Sequence, residues 1–194
     1  MPLAKKKAKK AEPEVVINFP QKYYIIGADL SLKRPGFCKL TIEDSKLTDI
    51  HLMSVDNKKD TKKEHGKLLD EIMKAFIEFI PDPEKDATLC YYIREKEIIN
   101  QATPYERNIS KVVGLTDWLL WRLHCKWEEI YPVTIKKCIA GNGRSDKKAV
   151  ADNLPYYVGN IQYANDDESD ATAVAITWLI QHGQLTPKGG EQQT

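Results

Sequence analysis

The stretch "YANDDESDATAVAITWLIQHG", residues 163–183, sets Asp166, Asp167, Glu168 and Asp170 within five positions, directly ahead of small and apolar residues. One or two acids in a first turn suit a helix dipole, each adding about 0.3–1 kcal/mol, but four repel one another. Asp167 and Asp170 stand three apart, so on a helix they share a face and can aim at one point. Two further acids close apolar, strand-like runs: Asp29 after "KYYIIGA" and Glu95 after "TLCYYIR". If those strands are neighbours, four carboxylates converge, which is unfavourable unless cations neutralise them. A donor set made only of oxygens selects hard divalent ions, magnesium or manganese, over zinc.

The elements that must position these acids follow from periodicity. "KYYIIGADLSL" (22–32) and "GFCKLTIED" (36–44) read as strands joined through the turn residues Arg34, Pro35 and Gly36, and "LTDIHLMSVD" (47–56) as a third. A lysine-rich bridge leads to a helix over 64–80, with Leu68, Leu69, Ile72, Phe76, Ile77 and Ile80 at helical spacing and Pro81 as its stop. "TLCYYIREKEII" (88–99) is a buried strand with a charged exit, and 104–125 a long helix with Trp118 and Trp121 on or beside its packed face. "EEIYPV" (128–133) is a short strand. Residues 134–155 read as a helix, a glycine turn and a helix capped by Ser145, and the last helix runs to about Gly183. Three strands, a helix, then alternating strand and helix predict an α/β fold, a mixed sheet flanked by helices.

With 194 residues the chain suits one domain, and 29 basic against 28 acidic residues leave a formal charge of +1. Charge is unevenly spread: "MPLAKKKAKKAEPE" places five lysines in six positions, which reads as a disordered basic arm for phosphate backbones or as a plain solubility tail. Cys38, Cys90, Cys125 and Cys138 form no C-x-x-C pair, the four histidines lack ligand spacing to them, and no apolar run has membrane-spanning length. A reduced, cytoplasmic protein is the expectation. The organisation expected is a basic arm at 1–20, a single folded domain at 21–184 and a flexible tail at 185–194.

In its ordered acids the chain resembles RuvC-type Holliday junction resolvases of the RNase H-like superfamily. "IIGADLSLKRPG" matches the family's first acid in a G-x-D context with a later glycine; "YYIRE" matches its second; "DESDATAVAI" matches its D-x-x-D-A pattern. Between them "IKKCIAGNGRSDKKAV" (135–150) is similar to its lysine and glycine segment. The likeness spans about residues 22–183 and departs at Ile98, where family members often carry a base-stacking aromatic. It implies an RNase H-like sheet of five strands, an antiparallel three-strand meander plus parallel strands.

The resemblance further implies two-metal hydrolysis of a DNA phosphodiester by a homodimer acting symmetrically on a four-way junction, leaving 5′-phosphate and 3′-hydroxyl ends. Two Mg2+ ions per site, with Mn2+ as a substitute, would be held by Asp29, Glu95, Asp167 and Asp170, with Glu97 a plausible substitute ligand. Lys136 and Lys147 would neutralise phosphates at the reacting centre. Lys137, Lys148, Arg144, Arg94 and Arg107 are further DNA-contact candidates, and Gly141 and Gly143 would let backbone approach phosphates. Asp166 and Glu168 are read as capping or field residues. No membrane and no small-molecule cofactor is expected as partner. A broader cutter of forks, an RNA-hybrid nuclease and a non-catalytic branched-DNA clamp remain the alternatives, and a nucleotide-binding actin-like fold is disfavoured by length.

Overall fold

One sheet holds five strands, β1 (Lys22–Asp29), β2 (Gly36–Glu43), β3 (Lys46–Ser54), β4 (Leu89–Glu95) and β5 (Lys126–Ile130). Their order across the sheet is β3-β2-β1-β4-β5; β1, β2 and β3 pair antiparallel, while β4 runs parallel to both β1 and β5. This is the mixed architecture expected from the sequence, and its strands draw on the β-branched and aromatic residues that fit a pleated surface. The computed structural model describes residues 19–56, 65–82, 84, 86–97 and 104–188, with the backbone alone for 104–107. Nearly all of the basic arm, the lysine-rich bridge at 57–64, Ile98, the Arg107 side chain and the end of the tail lie outside the described residues.

Helices cover both faces: α1 (His65–Phe79), α2 (Pro104–Arg122), α3 (Pro132–Ala140), α4 (Lys147–Asn153), α5 (Pro155–Val158) and α6 (Asp166–Gln181). Side chains alternate across a strand, so residue parity decides which layer each meets. Ile25, Tyr91 and Ile93 pack with Ile135, Val150 and the small residues of α6, whereas Ile26, Ala28 and Tyr92 pack with Phe76 of α1 and Leu120 of α2.

Four expectations need correction. Trp118 and Trp121 are 56% and 71% exposed, because the buried stripe of α2 runs through Ile109, Val112, Thr116, Leu119 and Leu120. Ile77 of α1 is likewise exposed, and Met73 and Phe79 take the core positions. Asp146, not Ser145, caps α4, its Oδ1 accepting the Ala149 N–H at 2.7 Å. β5 starts two residues earlier than expected and ends before Pro132, which opens α3, the helix position where a missing N–H does no harm.

Strand β1 and helix α6 pack very closely. A Cβ on Gly27 would fall 2.1 Å from the Ala171 carbonyl oxygen and 2.8 Å from the Ala175 nitrogen, so Ala171 and Ala175, one turn apart, let helix and strand backbones nearly touch. Gly27→Ala should destabilise the protein by about 1–3 kcal/mol or more through overpacking. Gly114→Ala, on α2 with nothing within 4 Å, should instead add up to about 1 kcal/mol from helix propensity. Urea denaturation of the two variants checks the contrast, and equal effects would show that Gly27 is not the contact that sets the depth of α6.

Candidate metal centre

Register brings the first two acids together. Ala28 pairs with Arg94 across the parallel strands, so Asp29 and Glu95 follow side by side at the carboxyl ends of β1 and β4. Both have the parity of Ile25 and Ile93, which puts them on the α6 face. The start of α6 is delivered to the same place by Gly36, where a Cβ would lie 2.2 Å from the Asp167 carbonyl oxygen. Asn165 caps that helix, its Oδ1 accepting the N–H groups of Asp167 at 3.0 Å and Glu168 at 3.2 Å. Asp29, Glu95, Asp167 and Asp170 thus line one cavity of about 360 Å³, whose wall also includes Glu97, Lys136 and Lys147.

The crowded acids separate into different environments. Asp166 is exposed, in the first turn of α6. Glu168 is 5% exposed and turned away from the cavity; it accepts the Ser54 hydroxyl at 2.8 Å and the Ala164 N–H at 2.9 Å. Asn165 Nδ2 donates to the same Ser54 Oγ at 2.8 Å. Glu168, read in the sequence as a cap or field residue, caps through the Ala164 N–H and in addition fastens the start of α6 to the end of β3. Hydrogen bonds to charged groups of this kind contribute about 1.5–3 kcal/mol each. Asp167 and Asp170, the two that face the cavity, pair with Arg34 Nε and Lys147 Nζ respectively.

Crowding registers in the acid–base balance of the strand acids. Burial, followed by the neighbouring Asp170, Glu95 and Asp167 charges, raises the Asp29 carboxyl to about 7, with Lys147 pulling the other way. Burial and Asp170 raise Glu95 as well, against Lys147 and Lys136. Burial would lower Lys147, but its hydrogen bond to Asp170 and the charges of Asp170, Asp29 and Glu95 together outweigh this and hold the ammonium above its usual range. Among the described residues no three acidic, histidine or cysteine side chains are gathered into a finished ion-binding set; Arg34 and Lys147 engage two of the acids. The donor chemistry nonetheless fits a hard divalent cation, since every facing acid offers oxygen and Asp29, Glu95, Glu97, Asp167 and Asp170 outnumber the bases Arg34, Lys136 and Lys147.

The remaining candidates divide. Lys136 lines the cavity beside Glu95 and Lys147. Lys137 and Arg144 are exposed, and Lys148 is engaged with Asp152 one turn along at 2.5 Å. Gly141 ends α3 in the left-handed region with φ of 75°, and a Cβ on Gly143 would lie 2.6 Å from Val133 Cγ2. Arg94 is a correction: it is 3% exposed and bonded to Asp117 at 2.5 Å and Glu129 at 2.9 Å, so it cannot reach DNA. If Glu95 faces α6, parity sends Arg94 to the α2 layer. Arg34, Ser54 and Asn165 carry no signal in the sequence beyond turn or cap chemistry, and Arg34 was readable only as part of a turn.

No family model matches the chain. A protein of Prochlorococcus marinus named crossover junction endodeoxyribonuclease RuvC is 28% identical over 163 residues, covering 82% of this chain and 98% of that protein. Among solved structures, RuvC of Thermus thermophilus matches with a TM-score of 0.66 at 15% identity, over 84% of this chain and 99% of that one. T. thermophilus RuvC in complex with a Holliday junction substrate matches with a TM-score of 0.63 at 12% identity, over 85% and 99%. The chain is RuvC-like in sequence over about four fifths of its length, and its fold is the RNase H-like fold of RuvC.

Asp29 makes stability depend on pH in a defined direction. Its carboxyl is raised from 3.8 to about 7 on folding, so between those values the folded chain keeps a proton that the unfolded chain has released, and stability falls as pH rises. In EDTA, Asp29→Asn should therefore melt above wild type by a margin that opens from about pH 4 to about pH 7 and stays level beyond. Parallel melting curves across that window would show that Asp29 carries no such penalty.

Proposed function

We infer that this RuvC-like chain is a crossover junction endodeoxyribonuclease, cutting four-way DNA junctions by metal-dependent phosphodiester hydrolysis to leave 5′-phosphate and 3′-hydroxyl nicks. The observation that carries the reading is the meeting of Asp29 and Glu95, from the ends of two parallel strands, with Asp167 and Asp170 of α6 in one cavity. Strand ends at the carboxyl edge of a sheet are where open α/β folds bind ligands.

The four carboxylates would hold two Mg2+ ions, with Mn2+ as a substitute. Such ions supply an activated water and stabilise the charge that develops on the leaving 3′ oxygen. Around them, Lys147 and Lys136 bring fixed positive charge to the wall of the cavity, where it can hold non-bridging phosphate oxygens. Glu168, Ser54 and Asn165 hold the start of α6 so that Asp167 and Asp170 keep their aim. The exposed charges of Lys137, Lys148 and Arg144 and the bare backbone of Gly141 and Gly143 suit contacts to the flanking duplex.

Symmetric cutting needs two copies, and Trp118 and Trp121, three apart and exposed on α2, supply an apolar surface for a second copy. We take residues 21–184 as the nuclease domain, with the basic segment 1–20 before it and the tail 185–194 after it. Among the described residues no helix is long and apolar enough to cross a membrane.

Asp29→Asn tests the assignment on a synthetic four-way junction, with Y-shaped and RNA–DNA hybrid substrates alongside. Loss of outer partners of metal ligands alone typically costs about 10–100-fold, so loss of a ligand should abolish nicking beyond that range. Junction affinity in EDTA should persist or tighten, because one repulsive charge is gone. Surviving cleavage would move the active centre elsewhere, and a wild type that binds junctions without nicking in Mg2+ or Mn2+ would make the chain a clamp.

A further inference from the structure

A second cavity of about 230 Å³ adjoins the acidic one, and Ser31 and Asp167 line both. Its lining is mostly apolar, with Leu32 and Ile109 as its floor, and Lys33, Arg34 and Asn108 add cations and donors at its edge. That combination suits a sugar and phosphate of the nucleic-acid backbone, not a metal. Arg34 stands between the two. Its backbone is fixed, since its N–H donates to Ser31 Oγ at 2.8 Å and Gly36, two residues on, packs against the Asp167 backbone. Its side chain is partly exposed and pairs through Nε with Asp167, one of the acids assigned to the metal centre.

We propose that Arg34 is a cation-responsive phosphate contact: it neutralises Asp167 until a divalent ion takes that carboxylate, and then contacts the phosphate adjoining the scissile one. The proposal rests on the nuclease reading. A guanidinium does not deprotonate in proteins, so only displacement frees Asp167 from it. Its planar fork matches phosphate as well as carboxylate, which gives the released side chain a partner of the same geometry. Neither side chain is sealed off, Arg34 being 23% and Asp167 19% exposed, so an arriving divalent ion can reach the carboxylate and exchange with the guanidinium. The device links the two ligands: metal competes with Arg34, and DNA gains a contact once metal has won.

Arg34→Gln and Arg34→Lys test it with two readouts that need no turnover. In Mn2+ titrations without DNA, followed by electron paramagnetic resonance, Arg34→Gln should bind about fivefold tighter than wild type, the scale of one partly exposed ion pair, and Arg34→Lys close to wild type. In salt series of junction binding, wild type and Arg34→Gln should share a slope in EDTA. With Ca2+ the wild-type slope should exceed that of Arg34→Gln by about one, the signature of one extra phosphate contact. A merely structural Arg34 would weaken both properties together on substitution. Unchanged or weaker Mn2+ binding by Arg34→Gln, or equal slopes in Ca2+, overturns the proposal while junction cutting by wild type leaves the nuclease reading intact. A wild type that neither binds nor cuts junctions overturns both.

Discussion

Mutual repulsion among carboxylates held in one cavity is the constraint from which the rest of this structure takes its sense. Asp29 and Glu95 would separate if their strands were free, and Asp167 and Asp170 would leave the cavity if α6 could slide. Neither happens, because the acids sit on rigid elements. The parallel pairing of β1 with β4 sets the first two side by side. The close approach at Gly27 and Gly36 sets the depth of α6, and the tie from Glu168 to Ser54 and Ala164 sets its starting point. Burial disfavours the charged form of Asp29, and the neighbouring Asp170, Glu95 and Asp167 charges add to it, so its carboxyl is pushed up to about 7.

Bases answer the acids one by one. Lys147 and Arg34 take Asp170 and Asp167, from the end of the glycine segment and from the turn after β1. Each is a side chain on a root fixed by its own backbone, so the charge can leave without the fold moving. A cavity with acids at its base and cations paired to them at its rim is suited to exchange: divalent ions for the bases inside, and phosphates for the acids outside. Arg94 shows the contrast. It is equally basic and adjacent in sequence to Glu95, yet buried between Asp117 and Glu129, where it holds β4, β5 and α2 together and serves no ligand.

Much of this was legible in the sequence wherever local pattern decides structure. The mixed five-stranded sheet follows from the order and alternation of its apolar runs, and the acids of the cavity were marked by their positions at strand ends and a helix start. Legibility ended where partners are far apart along the chain. Glu168 reads as one more acid in a first turn; only the fold shows it meeting Ser54, 114 positions away. Arg34 reads as a turn residue because its carboxylate lies 133 positions on. Trp118 and Trp121 mislead for a different reason: aromatic bulk suggests burial, but helical phase hands the core to Val112, Thr116 and Leu119 instead. Arg94 was within reach, since assigning Glu95 to one face of β4 assigns its neighbour to the other.

Anomalous scattering from crystals grown with Mn2+ would test most directly whether these distant carboxylates act as one centre. The account predicts manganese between Asp29 and Glu95, with Asp170 or Asp167 completing the oxygen ligands and Lys147 or Arg34 correspondingly released. Manganese bound only elsewhere on the protein, with both ion pairs intact at a saturating concentration, would contradict it.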